Sequence, residues 1–219
     1  NTNRIYVADN TGQALIVIDG TTNAIVASVL LVGQPLGIAI DTNTNQIYVT
    51  NSGGTGFVDS VWVIDGMTNS VLGTISLGYP AGGIDMNLST KKIYVTGNGT
   101  TNQVDVIDAN THAVLTTIPG FYDPRGIAVN ATTNRVFVAD FSDHNVKVVD
   151  GVTNSIISTI PVFYYPGPID LAVNQTTGRI FVPLSGAGGI SVIDDPNTTT
   201  GPGAVTQPVD ATTGTSPVN

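Results

Sequence analysis

The chain has 219 residues, carries a formal net charge of −9 and contains no cysteine. This length allows one domain with a sizeable core or a run of repeats, and the lack of cysteine excludes a disulfide framework and thiolate chemistry. The seven scattered lysines and arginines argue against a nucleic acid partner, and no apolar run approaches the roughly 18 residues that predict a membrane-spanning helix.

All sixteen acidic residues are aspartate, and Gly, Thr and Asn are abundant, which favours strands and turns over helices. Short apolar segments separated by turn residues fall into five groups along the chain. The predicted strands cover 4–8, 14–19 and 24–31; then 36–40, 46–50, 60–65 and 70–77; then 83–86, 92–96, 103–108 and 113–118; then 126–129, 135–139, 145–150 and 155–160; and finally 169–173, 179–183 and 189–194.

An aromatic strand repeats in register through these groups. It returns every 42 to 46 residues, as Ile5-Tyr6-Val7, Ile47-Tyr48-Val49, Ile93-Tyr94-Val95, Val136-Phe137-Val138 and Ile180-Phe181-Val182. A period of about 40–45 residues with four short strands is typical of a β-propeller blade. The sequence therefore predicts an all-β fold, a β-propeller of four-stranded antiparallel blades, with about five blades and incomplete first and last blades.

The repeated units resemble the YVTN family of β-propeller repeats. The likeness rests on Ile47-Tyr48-Val49-Thr50-Asn51, on Val63-Ile64-Asp65-Gly66-x-Thr68-Asn69 and on Pro124-x-Gly126-Ile127-Ala128-Val129-Asn130, and it covers Asn1 to about Asp195. The resemblance implies a surface-layer or secreted protein of archaea or bacteria, with the Pro-x-Gly-Ile strand innermost in each blade. Blade 1 then lacks its innermost strand, and blade 5 lacks its outermost strand.

Residues 1–195 form the predicted propeller, and residues 196–219 form a Thr/Pro/Gly-rich tail, interpreted as a linker or an exchanged strand. Open sheet edges recruit further strands. The tail could fold back at 204–209, a neighbouring copy could donate a strand, or the flanking sequence of a longer protein could supply both. Because the chain begins inside a repeat and without Met, we expect a processed protein or an excerpt of a longer one.

Turn sequences of the type Asp-Gly-x-Thr-Asn follow the third strands. They occur at Asp19, Asp65 and Asp150, with a variant at Asp108, and they predict hairpin turns in which Gly adopts positive φ. The segment 41–45 resembles half of a calcium loop, but it lacks the Gly and the distal Glu, so we interpret it as a turn. No metal or other cofactor is predicted.

Residues that could form a catalytic site are few. His112 and His144 fall on turns at opposite faces of a propeller, and neither a nucleophile elbow nor a phosphate-binding loop occurs. The carboxylates Asp123, Asp140, Asp143 and Asp170 remain an enzymatic option, because propeller glycosidases place carboxylates around the channel. The alternative, which we prefer, is that these are solvated loop residues and that the protein has no catalytic residues.

Aromatic residues precede the prolines that lead into the innermost strands. They are Tyr79, Phe121, Tyr122, Phe163, Tyr164 and Tyr165. Because these loops occupy equivalent places, they would gather on one face near the axis, as a binding or subunit surface that could also stack on sugar rings. The alternative is that they pack between blades as core.

Five Asn-x-Ser/Thr sequons predict glycosylation, at Asn87, Asn98, Asn130, Asn174 and Asn197. Together with the resemblance, they suggest an extracellular glycoprotein.

The preferred interpretation is a non-enzymatic structural or binding protein at the cell surface, filament-forming or adhesive, which acts through loop faces and strand edges. Its expected partners are copies of itself or neighbouring surface-protein domains, joined through strand exchange, and glycans. One alternative is a secreted propeller enzyme that acts on carbohydrate or lactone substrates. Another is a ligand-binding sensor module of a longer surface protein.

Overall fold

The computed structural model describes residues 2–53, 58–97, 99, 101–162, 167–184 and 189–195, and the strand at 205–210. Within these ranges the regular elements are all strands, and nineteen of them form five antiparallel sheets. Each sheet is one blade, and its strands follow one another in chain order from the innermost strand outwards. The predicted β-propeller is confirmed.

The strands have the following bounds. Blade 1 contains β1 (Arg4–Asp9), β2 (Ala14–Asp19) and β3 (Ile25–Leu30). Blade 2 contains β4 (Gln34–Asp41), β5 (Gln46–Ser52), β6 (Ser60–Asp65) and β7 (Val71–Ser76). Blade 3 contains β8 (Ala81–Asn87), β9 (Lys92–Gly97), β10 (Val104–Asp108) and β11 (Val114–Ile118). Blade 4 contains β12 (Pro124–Asn130), β13 (Arg135–Asp140), β14 (Asn145–Asp150) and β15 (Ser155–Pro161). Blade 5 contains β16 (Ala172–Val173), β17 (Arg179–Pro183), β18 (Gly189–Asp194) and β19 (Val205–Asp210).

The last blade is completed from the tail. Strand β19 pairs antiparallel with β18, so of the three possible sources of an outer strand the structure uses the tail folded back on its own chain. The expectation of an incomplete last blade is therefore wrong, while blade 1 has three strands as expected.

The core lies between blades. On the second strands of blades 2, 3 and 4 the aromatic side chain faces the next blade and the flanking Ile and Val residues face the previous one. Tyr48 packs against Ile93 and Val95, and the same arrangement returns at Tyr94 and at Phe137. These three aromatic side chains are fully buried, and burying such rings makes a large contribution to stability.

The predicted turns after the third strands are confirmed in type. In each, the aspartate Oδ1 accepts hydrogen bonds from the backbone N–H groups two and three residues on, as Asp65 does from Met67 and Thr68. The predicted positive φ of the glycine is wrong, because the left-handed residue is the last one of the turn, for example Asn69 at φ 59°. Gly66 is needed for space, since a Cβ there would lie 2.8 Å from the carbonyl oxygen of Asn45.

Candidate functional site

A cavity of about 550 Å³ lies on the axis, where the inner strands of blades 2 to 5 begin. Its lining comes from one repeat position in four blades: Leu36 and Gly37, Gly82 and Gly83, Arg125 and Gly126, and Ile169 and Asp170. The loops that enter the inner strands lie at this end of the propeller. The cavity is therefore the mouth of the central channel.

Bulges in the inner strands shape this mouth. The pairing register shifts between Pro35 and Ile38 in β4, and at the same place in β8 and β12. The hydroxyl of Thr50 accepts a hydrogen bond from the N–H of Gly37 in its own blade and donates to the carbonyl of Gly82 in the next blade. Thr96 repeats this pattern between blades 3 and 4. The lining backbone is thus held by side chains of the second strands.

Blade 4 holds one exposed aromatic side chain on a fixed loop. Tyr122 is 61% exposed. Its backbone N–H and that of Asp123 donate to the carboxylate of Asp140, which is fully buried. Lys147 fixes the loop further, because its Nζ lies 2.7 Å from Asp140 Oδ2 and donates to the carbonyl of Gly120. A loop whose backbone is already held loses little backbone entropy when it binds a partner.

The same loop positions a cation at the channel mouth. The guanidinium of Arg125 lies 3.4 Å from the centroid of the Phe141 ring and pairs with Asp123 Oδ2 at 2.9 Å. Stacking and pairing together orient the planar group. The side chain of Arg125 remains 38% exposed, so it is accessible to a ligand.

Burial in the core of blade 4 also changes the pKa of Lys147. Desolvation alone would lower this pKa, but hydrogen bonds to Asp140 and Asp143 raise it overall. The ammonium group therefore stays charged and the loop stays fixed across the physiological pH range.

Only part of the predicted aromatic face is exposed. Tyr79 and Phe121 are each 5% exposed, so the expectation that they lie on the surface is wrong. The hydroxyl of Tyr79 donates to Asp105 at 2.7 Å, and burial, together with this carboxylate, raises the pKa of Tyr79. Phe163, Tyr164 and Tyr165 lie outside the described residues. For Tyr122 a binding role stays a prediction.

The sequons differ in exposure. Asn87 and Asn130 are 0% and 1% exposed, and their Nδ2 atoms, which would carry a glycan, donate to Asn134 and Asp195. The expectation of surface acceptors is wrong for these two, because the inner strands end with side chains that bridge to the next blade. Asn174 is exposed and stays a prediction. Asn98 and Asn197 lie outside the described residues.

Each of the four carboxylates considered as catalytic candidates makes a hydrogen bond or an ion pair within the fold. Asp140 binds backbone N–H groups and Lys147, Asp123 binds Arg125, and Asp170 Oδ1 accepts from the N–H of Leu171. Asp143 pairs with Lys147 from a partly exposed position. Within the described ranges the structure brings together no group of three or more His, Cys, Asp or Glu side chains suited to a metal ion.

The two histidines lie on turns at opposite ends of blades. His112 follows Asp108, with a left-handed φ of 59°, and its ring meets Tyr48 edge-on at 6.0 Å. His144 lies between β13 and β14, also left-handed at φ 51°. The predicted placement on opposite faces is confirmed.

Sequence reasoning missed three charged residues inside strands. Asp105 and Lys147 hold the same position in β10 and β14, where blade 2 has Trp62, and Asp85 replaces the alanine of other inner strands. Desolvation raises the pKa of Asp85, although its carboxylate accepts hydrogen bonds from the N–H groups of Val129 and Met86. A lone charge in an alternating Val/Ile strand is the signal that could have found them.

No helix in the described part of the chain is long and apolar enough to cross a membrane.

Comparisons with known proteins support the fold. A family model of the NHL repeat matches residues 121–149, the part of blade 4 that runs from the exposed loop into β14. Hydrazine synthase of Kuenenia stuttgartiensis is a similar solved structure, with a TM-score of 0.80 and 19% identity. The likeness covers 94% of this chain and 63% of that chain, so the chain spans less than two thirds of its length. No curated protein matches.

At this identity the likeness concerns the fold, and the enzymatic name belongs to the other protein. The YVTN and surface-layer resemblance stays a prediction. On its five antiparallel blades, its repeat and these comparisons, the chain is a β-propeller repeat protein.

Proposed function

We propose that the protein is a non-enzymatic extracellular interaction scaffold at a cell surface, which binds partners at its channel mouth and through strand edges. The observation that carries the proposal is the exposed Tyr122 on a loop fixed by Asp140, with the oriented Arg125 at the start of the strand that follows, β12. An exposed aromatic ring and an oriented cation suit a sugar ring or a polar peptide segment.

Other observations support the same proposal. The carboxylates that could have served a hydrolase are engaged in structural contacts, as Asp140 is with Lys147. The chain is rich in Thr and Asn and has few charged residues, and Asn174 offers an exposed sequon. These features fit an extracellular glycoprotein.

A glycan array of microbial surface polysaccharides tests the loop face. The wild-type chain and Tyr122→Ala are compared, with Val152→Ala as a matched control, since Val152 is 75% exposed at the opposite end of blade 4. We expect wild type and Val152→Ala to bind the same subset of glycans. Tyr122→Ala should bind these glycans at least about tenfold more weakly, as is found when an aromatic residue at the centre of an interface is replaced by alanine. Equal binding by all three would contradict a role for this loop. If the wild-type chain converted an arrayed sugar, the protein would be an enzyme and the proposal of a non-enzymatic scaffold would be wrong.

A further inference from the structure

Blades 4 and 5 break the sequence repeat at the channel mouth. Each of the four inner strands that line this cavity contributes two consecutive residues, all of them within residues 36–170. In blades 2 and 3 these residues are uncharged, as Leu36-Gly37 and Gly82-Gly83. Blade 4 has Arg125 at the first of the two positions, and blade 5 has Asp170 in place of the glycine at the second. Because the other blades form their inner strands without these charges, the two departures from the repeat indicate a function.

The contact between blades 4 and 5 also departs from the repeat. The hydroxyl groups of Thr50 and Thr96 each tie together the lining backbones of two neighbouring blades. Blade 4 has Ala139 at this place, which carries no hydroxyl. The two backbones approach closely instead, since a Cβ at Gly126 would lie 2.4 Å from Asp170 Cα and 2.8 Å from Asp170 Oδ1. The carboxylate of Asp170 therefore lies against the start of β12.

Two opposite charges thus lie in one cavity without pairing with each other. Arg125 donates from Nε and Nη2 to Asp123 Oδ2, which leaves its Nη1 available as a donor. Asp170 is exposed, and its Oδ1 accepts from the N–H of Leu171. In the described part of the chain this carboxylate has no ion-pair partner. A ligand that carries both charges would satisfy the two groups together.

The remaining wall of the cavity is apolar and leaves room for a ligand. Leu36 and Ile169 are each 42% exposed. Blade 3 has Gly82 at the position of these two side chains, so its part of the wall carries no side chain. The volume of about 550 Å³ lies within the range of ligand-sized pockets, about 300–1,000 Å³. An apolar group placed here would remove exposed surface of both aliphatic side chains from water.

We infer that the channel mouth binds a small zwitterion, an α-amino acid with an aliphatic side chain. The carboxylate of the ligand pairs with Arg125, its ammonium group pairs with Asp170, and its side chain packs on Leu36 and Ile169. The inference rests on the channel-mouth part of the proposed function and names the ligand class of that site. It gives Asp170 a binding role and does not involve Tyr122.

A nuclear magnetic resonance titration of the whole chain with L-leucine tests the site. The reporters are the backbone amide signals of the lining glycines, Gly37, Gly82, Gly83 and Gly126. Two analogues each lack one charged group, since isocaproate has no ammonium group and isoamylamine has no carboxylate. We expect leucine to shift these signals saturably. Each analogue should bind at least about tenfold more weakly, because each loses one charge-assisted hydrogen bond.

Two variants of the chain assign the charges. Asp170→Asn keeps the Oδ1 acceptor for Leu171 but has no charge. It should bind leucine at least about tenfold more weakly and should no longer prefer leucine over isocaproate, while it still prefers leucine over isoamylamine. Arg125→Gln should show the reverse preference. A general structural effect would weaken all three ligands alike and would leave both preferences unchanged.

The matched controls break another pair of the same charges. Arg179 and Asp194 form an ion pair at 3.2 Å at the opposite end of blade 5. Arg179→Gln and Asp194→Asn should therefore leave leucine binding and both preferences unchanged.

Absence of leucine binding, or equal binding of leucine and its two analogues, would overturn the inference. Variants at Asp170 and Arg125 that weaken all ligands alike, or controls that weaken leucine as strongly, would also overturn it. The glycan array with Tyr122→Ala gives a separate result. If leucine fails to bind while that array shows the expected loss, this inference alone is wrong, and if leucine binds while no glycan does, the role of the Tyr122 loop alone is wrong.

Discussion

Asp140 links the packing of blade 4 to the exposed loop. Its carboxylate is fully buried, receives two backbone N–H groups of the loop and lies 2.7 Å from Lys147 Nζ. Removing one partner of a buried pair is costly because it leaves the other charge in a poorly solvated place.

The Asp140→Ala variant should therefore lose about 3 kcal/mol of unfolding free energy. The loss should be smaller than for a buried pair whose remaining charge has no other partner, because Lys147 keeps Asp143 as a partner. Asp143→Ala is the control, since this side chain is 42% exposed and should cost less than about 1 kcal/mol. Guanidinium chloride unfolding measures both variants. Equal losses would show that the buried carboxylate has no special role.

For single residues, the sequence predicted the position in the repeat better than the exposure of the side chain. It placed Tyr79, Phe121 and Tyr122 on equivalent loops, but only Tyr122 faces solvent. The reason is a partner remote in sequence, because the hydroxyl of Tyr79 is satisfied by Asp105 in the third strand of the same blade. The local sequence of an aromatic residue before proline does not show whether such a partner exists, so it does not predict whether the side chain is buried.

Among the elements, the four aspartate turns have a shared electrostatic character. Backbone N–H groups that donate to Asp19, Asp65, Asp108 and Asp150 lower the pKa of each carboxyl. A group whose pKa is lower in the folded state stabilises the fold above its unfolded pKa, about 3.9 for aspartate, and this stabilisation is lost as the pH falls through the folded pKa.

Asp65→Asn tests this linkage. The amide keeps the Oδ1 acceptor for Met67 and Thr68 but has no charge, so the variant should be less stable than wild type at about pH 7, and this difference should shrink as the pH falls from about 4 towards about 2. Urea unfolding across this pH range measures the difference. A difference of the same size throughout would mean that the loss is steric.

The strand pattern was predictable because alternation and turn residues are local signals. Strands such as β6 and β14 have the predicted bounds.

The inner strand of blade 5 was not predictable, since it is reduced to Ala172–Val173 with an isolated bridge between Pro168 and Leu184. The glycine that forms the bulge in β4, β8 and β12 is replaced there by Asp170, whose carboxylate binds the N–H of Leu171. The pairing of β19 was one of several options, because a Thr- and Pro-rich tail carries only a weak strand signal.

For the molecule as a whole, position along the row of blades decides how much a core residue contributes. Each blade packs on its neighbours alone, as in other repeat architectures. Ile93 and Ile5 hold the same repeat position, yet Ile93 is fully buried between blades 2 and 3 while Ile5, on the outer side of blade 1, is 49% exposed.

The variants Ile93→Ala and Ile5→Ala should therefore differ strongly in stability. Truncating Ile93 leaves a cavity between two sheets and should cost about 3 kcal/mol, whereas truncating the half-exposed Ile5 should cost less than about 1 kcal/mol. Ile47→Ala, at the same position in blade 2 and also fully buried, should match Ile93→Ala. Guanidinium chloride unfolding of the three variants measures the order. If Ile5→Ala costs as much as the two interior variants, the outer face of blade 1 is covered in solution, which would contradict the exposure of this face.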